Sequence, residues 1–123
     1  MSLRCIIVPV TPYQQNCTVL KCEETGRGAI VDPGGDIELI ERGVAQLDTE
    51  IEKILITHGH MDHCAATLEL SGRLGVPVEG PHREDDFWIQ MLPQSCEMSG
   101  MPVAQPFVPD RWLEQGEIGR AHV

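Results

Sequence analysis

His58-Gly59-His60-Met61-Asp62-His63 gathers three imidazoles and a carboxylate into six consecutive positions. Imidazole nitrogen and carboxylate oxygen are the donors that borderline cations such as Zn²⁺ take. Three of the five histidines in a chain of 123 residues fall in this stretch, so a polar turn with incidental imidazoles is the weaker reading of it. The elements that must position these groups are legible on either side. Lys53-Ile54-Leu55-Ile56 reads as a short buried strand, Gly59 lets the backbone turn sharply, and an apolar-periodic stretch from Asp62 to Leu74 reads as a helix. Side chains this dense at a strand end can converge on one or two cations.

The pattern His-x-His-x-Asp-His after a hydrophobic strand resembles the signature of the metallo-β-lactamase superfamily. Ala29-Ile30-Val31-Asp32-Pro33-Gly34-Gly35 is similar to a block of its glyoxalase II-like hydrolases, and Asn16-Cys17-Thr18-Val19-Leu20 to a strand near their N-terminus. Glu84-Asp85-Asp86-Phe87-Trp88, continued by Met91-Leu92-Pro93, resembles their short bacterial members. The likeness runs over about residues 3 to 116. It implies an α/β fold, the first half of an αββα sandwich, with a truncated second half. It also implies that His58 and His60 hold one metal while Asp62 and His63 hold a second, Asp62 counting as catalytic as well as ligating. In the superfamily a later His, a bridging Asp and a final His complete the site, and this sequence offers no such set. His82, after Gly80-Pro81, is expected to be exposed, and His122 lies in no matching context.

The domain expectation is therefore residues 1–116 as the N-terminal half of one domain. Residues 117–123, Glu117-Ile118-Gly119-Arg120-Ala121-His122-Val123, match a common sequencing adapter translated in one frame and are expected to be a non-native tail.

Composition limits the function classes. The formal net charge is −10, which argues against a nucleic-acid surface, since that needs clustered Lys and Arg. It also offers no long-range attraction for an anionic substrate. Aromatic residues are 4% of the chain, so the core must be built from Ile, Leu and Val. Five cysteines form no Cys-x-x-Cys pair, no signal peptide opens the chain and no stretch reaches transmembrane length. A reducing cytoplasm with free thiols, and no membrane partner, is the expectation. Cys64 follows His63 directly, but at a helix start it is expected to turn into the core.

Further strands are expected at Cys5–Val8, Cys17–Lys21, Ala29–Val31 and Val76–Val78. Asp36 is a plausible N-cap for a helix to about Leu47, with Ile37, Ile40, Val44 and Leu47 on one face. A third helix would carry Phe87, Trp88 and Met91, whose helical spacing favours packing over lining a pocket. Asp-Pro-Gly at 32–34 reads on its own as a turn. The resemblance favours Asp32 as a carboxylate supporting the metal loop, as buried carboxylates support ligating His.

The implied activity is hydrolysis of a thioester, a hydroxyacyl-glutathione conjugate, by a metal-activated hydroxide. Two ions about 3.5–4 Å apart would lower the pKa of a shared water toward ~7. Two Zn²⁺ ions are the expectation, with iron and manganese as alternatives. A thiolate, with its conjugate acid near pKa ~8.5, leaves with little acid assistance. Two other readings stand beside this one: a persulfide dioxygenase with a single iron, and an inactive fragment with a partial metal site.

Overall fold

The computed structural model describes residues 3–114; the expected tail at 117–123 and His122 lie outside the described residues. Strand β1 (Leu3–Val10) pairs antiparallel with β2 (Gln15–Cys22), and β2 pairs antiparallel with β3 (Arg27–Val31). Beyond β3 the sheet turns parallel. Helix α1 (Ile37–Leu47) carries the chain back to β4 (Glu50–Leu55), and a second helical crossover leads to β5 (Val78–Glu79). Parallel neighbours need such crossovers, whereas the first three strands are close enough for hairpin turns. The result is one five-stranded mixed sheet in the order β1-β2-β3-β4-β5.

α1 lies on β1 and β2, burying Ile37, Ile40 and Leu47 as the 3.6-residue period requires. The core is aliphatic, with Val19, Ile30, Ile40, Ile54, Ile56, Leu70, Ile89 and Leu92 fully buried. Each such Ile or Leu contributes about 1.5–3 kcal/mol relative to exposure. Phe107 is also buried, and Trp112 packs partly against the same cluster.

Four expectations need correction. The helix expected over 62–74 is two: α2 (Met61–Cys64) and α3 (Thr67–Leu74). The break has a visible cause, because the Ala66 N–H donates to the carbonyl of Pro33 at 3.0 Å in the loop after β3. That loop takes the place of an intrahelical bond. The expected strand at Val76–Val78 pairs only at Val78–Glu79; Pro77 has no N–H for a ladder and contributes its carbonyl to Ile54 at 3.0 Å. Asp36 occupies the N-cap position of α1 but does not cap it through its side chain; it sits at φ 51° and accepts from the Thr11 N–H at 2.7 Å. The third helix is a 3₁₀ turn (Arg83–Asp85), then α4 (Asp86–Gln90) and α5 (Leu92–Met98), with Pro93 in the first turn of α5, where its missing N–H costs nothing.

Candidate metal centre

The ends of β3 and β4 lie side by side, so the loops following them meet. The Asp32 N–H donates to the Leu55 carbonyl at 2.9 Å. Asp32 stands at φ 56°, the left-handed conformation that Asp tolerates better than most residues. This aims its buried carboxylate across the strand ends. Oδ1 accepts the Thr57 N–H at 2.7 Å; Oδ2 accepts the Thr57 hydroxyl at 2.5 Å and meets His63 Nδ1 at 2.9 Å.

With the Asp32 carboxylate as acceptor, these partners assign the imidazole protons. An ionised carboxylate only accepts, so His63 carries its proton on Nδ1. The Thr57 hydroxyl has one proton, which goes to Asp32; its oxygen therefore accepts from His58 Nδ1, 2.8 Å away. One carboxylate thus selects the tautomer of both rings, directly for His63 and through Thr57 for His58. The lone pair of each neutral ring then lies on Nε2, where a cation can take it. Ligand atoms of Asp32, His58 and His63 lie within 4.8 Å of one another. The Asp32 oxygens are already engaged by Thr57 and His63, so the two imidazoles are the donors this cluster leaves for a divalent cation.

The other two sequence-predicted ligands sit at the rim. Asp62 Oδ2 is 3.9 Å from His63 Nε2. His60 is exposed, its ring centroid 6.3 Å from that of His58 and 4.6 Å from that of Trp88. Cys64 is buried as expected, and its thiol donates to the carbonyls of Gly59 and His60 at 3.3 Å each. Burial, reinforced by the nearby Asp32 charge, pushes that thiol far above its ordinary pKa. His82 is half-buried rather than exposed, because its ring accepts the Glu84 N–H at 3.1 Å and caps the 3₁₀ turn.

Sequence reasoning gave no role to Asp85, which holds this loop. Asp85 accepts the Gly59 N–H at 3.0 Å, and the backbone of Gly59 lies so close to Asp85 and Trp88 that a Cβ there would come within 2.7 Å of the Asp85 carbonyl. Trp88 and Phe87 are exposed beside the site, contrary to the expectation that they pack inward. Their helical spacing carries the signal of an amphipathic face, but not which side of it meets solvent.

Residues 10–123 match the family model of the metallo-beta-lactamase superfamily. The chain belongs to that superfamily. The hydroxyacylglutathione hydrolase GloC of Haemophilus influenzae is 40% identical over 113 residues, which are 91% of this chain and 53% of that protein. The B3 metallo-beta-lactamase BLEG-1 superposes with a TM-score of 0.76 at 27% identity, over 91% of this chain and 54% of that one. A second solved structure, in a di-iron-bound form, gives 0.78 at 27% identity over 90% of this chain and 55% of that one. The chain therefore spans about half the length of the relatives it matches, and its five-stranded mixed sheet with helices is part of the metallo-β-lactamase fold.

Within this metallo-β-lactamase-fold site, the hydrogen bond to Asp32 holds the His63 pKa above its ordinary value, against an opposing effect of burial. The sign for the metal-free chain follows. The imidazolium–Asp32 contact contributes its full stability below pH ~6.5 and loses it as pH rises through the raised pKa. A metal requires the neutral ring, so its affinity should change the opposite way and strengthen over the same window. Denaturation midpoints of metal-free and metal-loaded protein from pH 5.5 to 8.5 should diverge as pH rises; parallel curves would remove His63 from the coupling.

Proposed function

We propose that this chain supplies the metal-binding half of a metal-dependent thioester hydrolase acting on a hydroxyacyl-glutathione conjugate. The observation that carries the reading is the Asp32–Thr57–His58 and Asp32–His63 network, which readies two imidazoles of the His-x-His-x-Asp-His motif as metal donors. Relatedness to a hydroxyacylglutathione hydrolase at 40% identity supports the substrate class.

In this reading His58, His60, Asp62 and His63 are the ligands, and Asp32 is a positioning residue. Its oxygens are already engaged by three donors, so it serves better by orienting His63 and Thr57 than by binding an ion itself. Asp62 lies on the far side of His63 from Asp32, near His63 Nε2. A pair of ions held this way would leave Asp62 at the reacting centre, consistent with a catalytic as well as a ligating role. When bound, the metal supplies Lewis acidity that brings the pKa of water toward ~7 and steadies charge on the thioester carbonyl oxygen. Cys64 takes no part, since its thiol is buried and donates to the loop backbone. Two Zn²⁺ ions are proposed, with iron and manganese as alternatives. A cytoplasmic location is proposed from the five free cysteines; among the described residues no helix is long and apolar enough to cross a membrane.

The test uses the full-length coding sequence. Purified protein should carry metal by elemental analysis and hydrolyse lactoyl-glutathione, releasing one thiol per ester cleaved. His58→Ala and His63→Ala should each lower metal content to background while leaving the fold intact by circular dichroism. Oxygen uptake with glutathione persulfide, in place of thiol release, would transfer the reading to an iron dioxygenase. Unchanged metal content in both variants would sink the ligand assignment.

A further inference from the structure

The chain contains two Trp, one Tyr and two Phe, yet Tyr13, Phe87 and Trp88 are 55%, 63% and 42% exposed. Aromatic side chains usually bury 150–250 Å² each and anchor cores or binding sites. Tyr13 and Trp88 share a cavity of about 300 Å³, whose other walls are His60, Met61, Asp62 and Ser95. The aromatic walls therefore open onto two of the proposed ligands.

The backbone that carries Tyr13 and the ring of Trp88 are each held in place. Tyr13 rides the turn between β1 and β2, where its N–H donates to Thr11 Oγ1 at 3.2 Å and the Gln14 N–H to the Thr11 carbonyl at 3.0 Å. The Thr11 N–H in turn donates to Asp36 at 2.7 Å, tying the turn to the start of α1. Trp88 lies between the His60 ring, at 4.6 Å, and the edge of Phe87, at 5.4 Å. A preformed wall loses little freedom when a ligand binds.

Charge and size decide what the cavity would take. Among the described residues, none of the six that line it is Lys or Arg. Those walls offer a carboxylate-bearing thiol carrier no cationic side chain, whereas the faces of Tyr13 and Trp88 suit an apolar acyl group. About 300 Å³ is the lower bound of small-ligand pockets, enough for an acyl group. The larger cavity of about 630 Å³, beside the start of α1, is lined by Asp36, Glu38 and Glu69 and by no imidazole. It carries no comparable argument.

We propose that the Tyr13–Trp88 cavity is the acyl subsite, and that it favours thioesters of hydroxy acids with an aromatic side chain over those with a methyl group. This rests on the thioester-hydrolase reading. The thiol carrier binds outside this cavity.

The experiment uses full-length protein in a Trp112→Phe background, which leaves Trp88 as the reporter among the two tryptophans of this chain. Trp emission is titrated with mandelamide and with lactamide, neutral amides that carry the acyl part without a thiol, on metal-free and metal-loaded protein. Mandelamide should half-saturate at about tenfold lower concentration than lactamide, the upper worth of one aromatic pair. Tyr13→Ala should remove most of that difference and Tyr13→Phe should keep it, with metal uptake equal in all three. Turnover of mandeloyl and lactoyl thioesters of N-acetylcysteamine gives the second arm: Tyr13→Ala should lower the mandeloyl-to-lactoyl ratio of kcat/KM by about tenfold. Thioester hydrolysis with no discrimination between acyl groups, or discrimination untouched by Tyr13→Ala, overturns the subsite and leaves the hydrolase standing. Amide discrimination without hydrolysis of any thioester overturns the hydrolase and, with it, the assignment of the cavity as its acyl subsite.

Discussion

Asp32→Ala is expected to destabilise the metal-free fold by about 3–5 kcal/mol and to weaken metal binding by about 10–100-fold. Three donors lose their acceptor at once: the Thr57 N–H, the Thr57 hydroxyl and His63 Nδ1. Each buried donor left without a partner costs about 1–3 kcal/mol. Thr57 is itself buried, so water cannot readily take over from the carboxylate. Alanine would also have to hold φ near 56°, where Asp and Asn are better tolerated. The effect on the metal comes separately, because neither imidazole would then be confined to the Nδ1–H tautomer. Urea denaturation of metal-free protein measures the first effect and competitive metal titration the second. Two companions divide the causes. Asp32→Asn keeps the shape and the tolerance of left-handed backbone, but places an amide donor against one of the three donors, so its stability should fall between. Thr57→Val cuts the link to His58 and leaves Asp32–His63 intact, so it should weaken metal binding less than Asp32→Ala does. A wild-type denaturation midpoint for Asp32→Ala would show that the carboxylate does not organise the loop.

Much of this architecture is legible in local sequence. Strands rich in Val, Ile and Leu and the apolar period of α1 report short-range physics, and the sheet with its α1 crossover appears where they point. The His-x-His-x-Asp-His cluster is conspicuous for the same reason: its candidate donors lie within six positions, just after a strand. What local pattern does not carry is contact between loops distant in sequence. Asp85 lies 26 residues beyond Gly59 and grips it by one hydrogen bond. No periodicity encodes that. The split of the 62–74 helix is of the same kind, since Ala65 and Ala66 are good helix formers. Only the intrusion of the Pro33 carbonyl, more than thirty positions earlier, stops the helix there. The exposure of Trp88 and Phe87 depends likewise on which face of α4 meets the metal loop. Asp36 shows a local rule overridden: it stands at the cap position with a capping side chain, yet a long-range bond to Thr11 claims the carboxylate.

The same loop-to-helix contact gives the second large expectation, for Gly34→Ala. A Cβ at Gly34 would lie 1.9 Å from the carbonyl oxygen of Asp62 and 2.7 Å from its carbon. Both are backbone atoms, so no side chain can swing aside; either the loop after β3 or helix α2 must move. Ordinary overpacking in a core costs about 1–3 kcal/mol because neighbouring side chains absorb part of it. Here that relief is absent, and the cost should reach about 3 kcal/mol or more. Displacing α2 carries Asp62 and His63 with it, and pulls His63 Nδ1 from its 2.9 Å contact with Asp32. Metal affinity should therefore fall together with stability, although Gly34 has no side chain to offer a ligand. Gly72, in the crossover that carries α2, gives the contrast. It lies in α3 with nothing within 4 Å of its would-be Cβ, so Gly72→Ala should stabilise the chain by about 0.5–1 kcal/mol through helix propensity alone. Paired urea melts and metal titrations of the two variants test the argument, since one added methyl should act in opposite directions. If Gly34→Ala kept both wild-type stability and wild-type metal affinity, the close approach of the Pro33-Gly34 loop to Asp62 would not be what holds the second half of the metal motif in place.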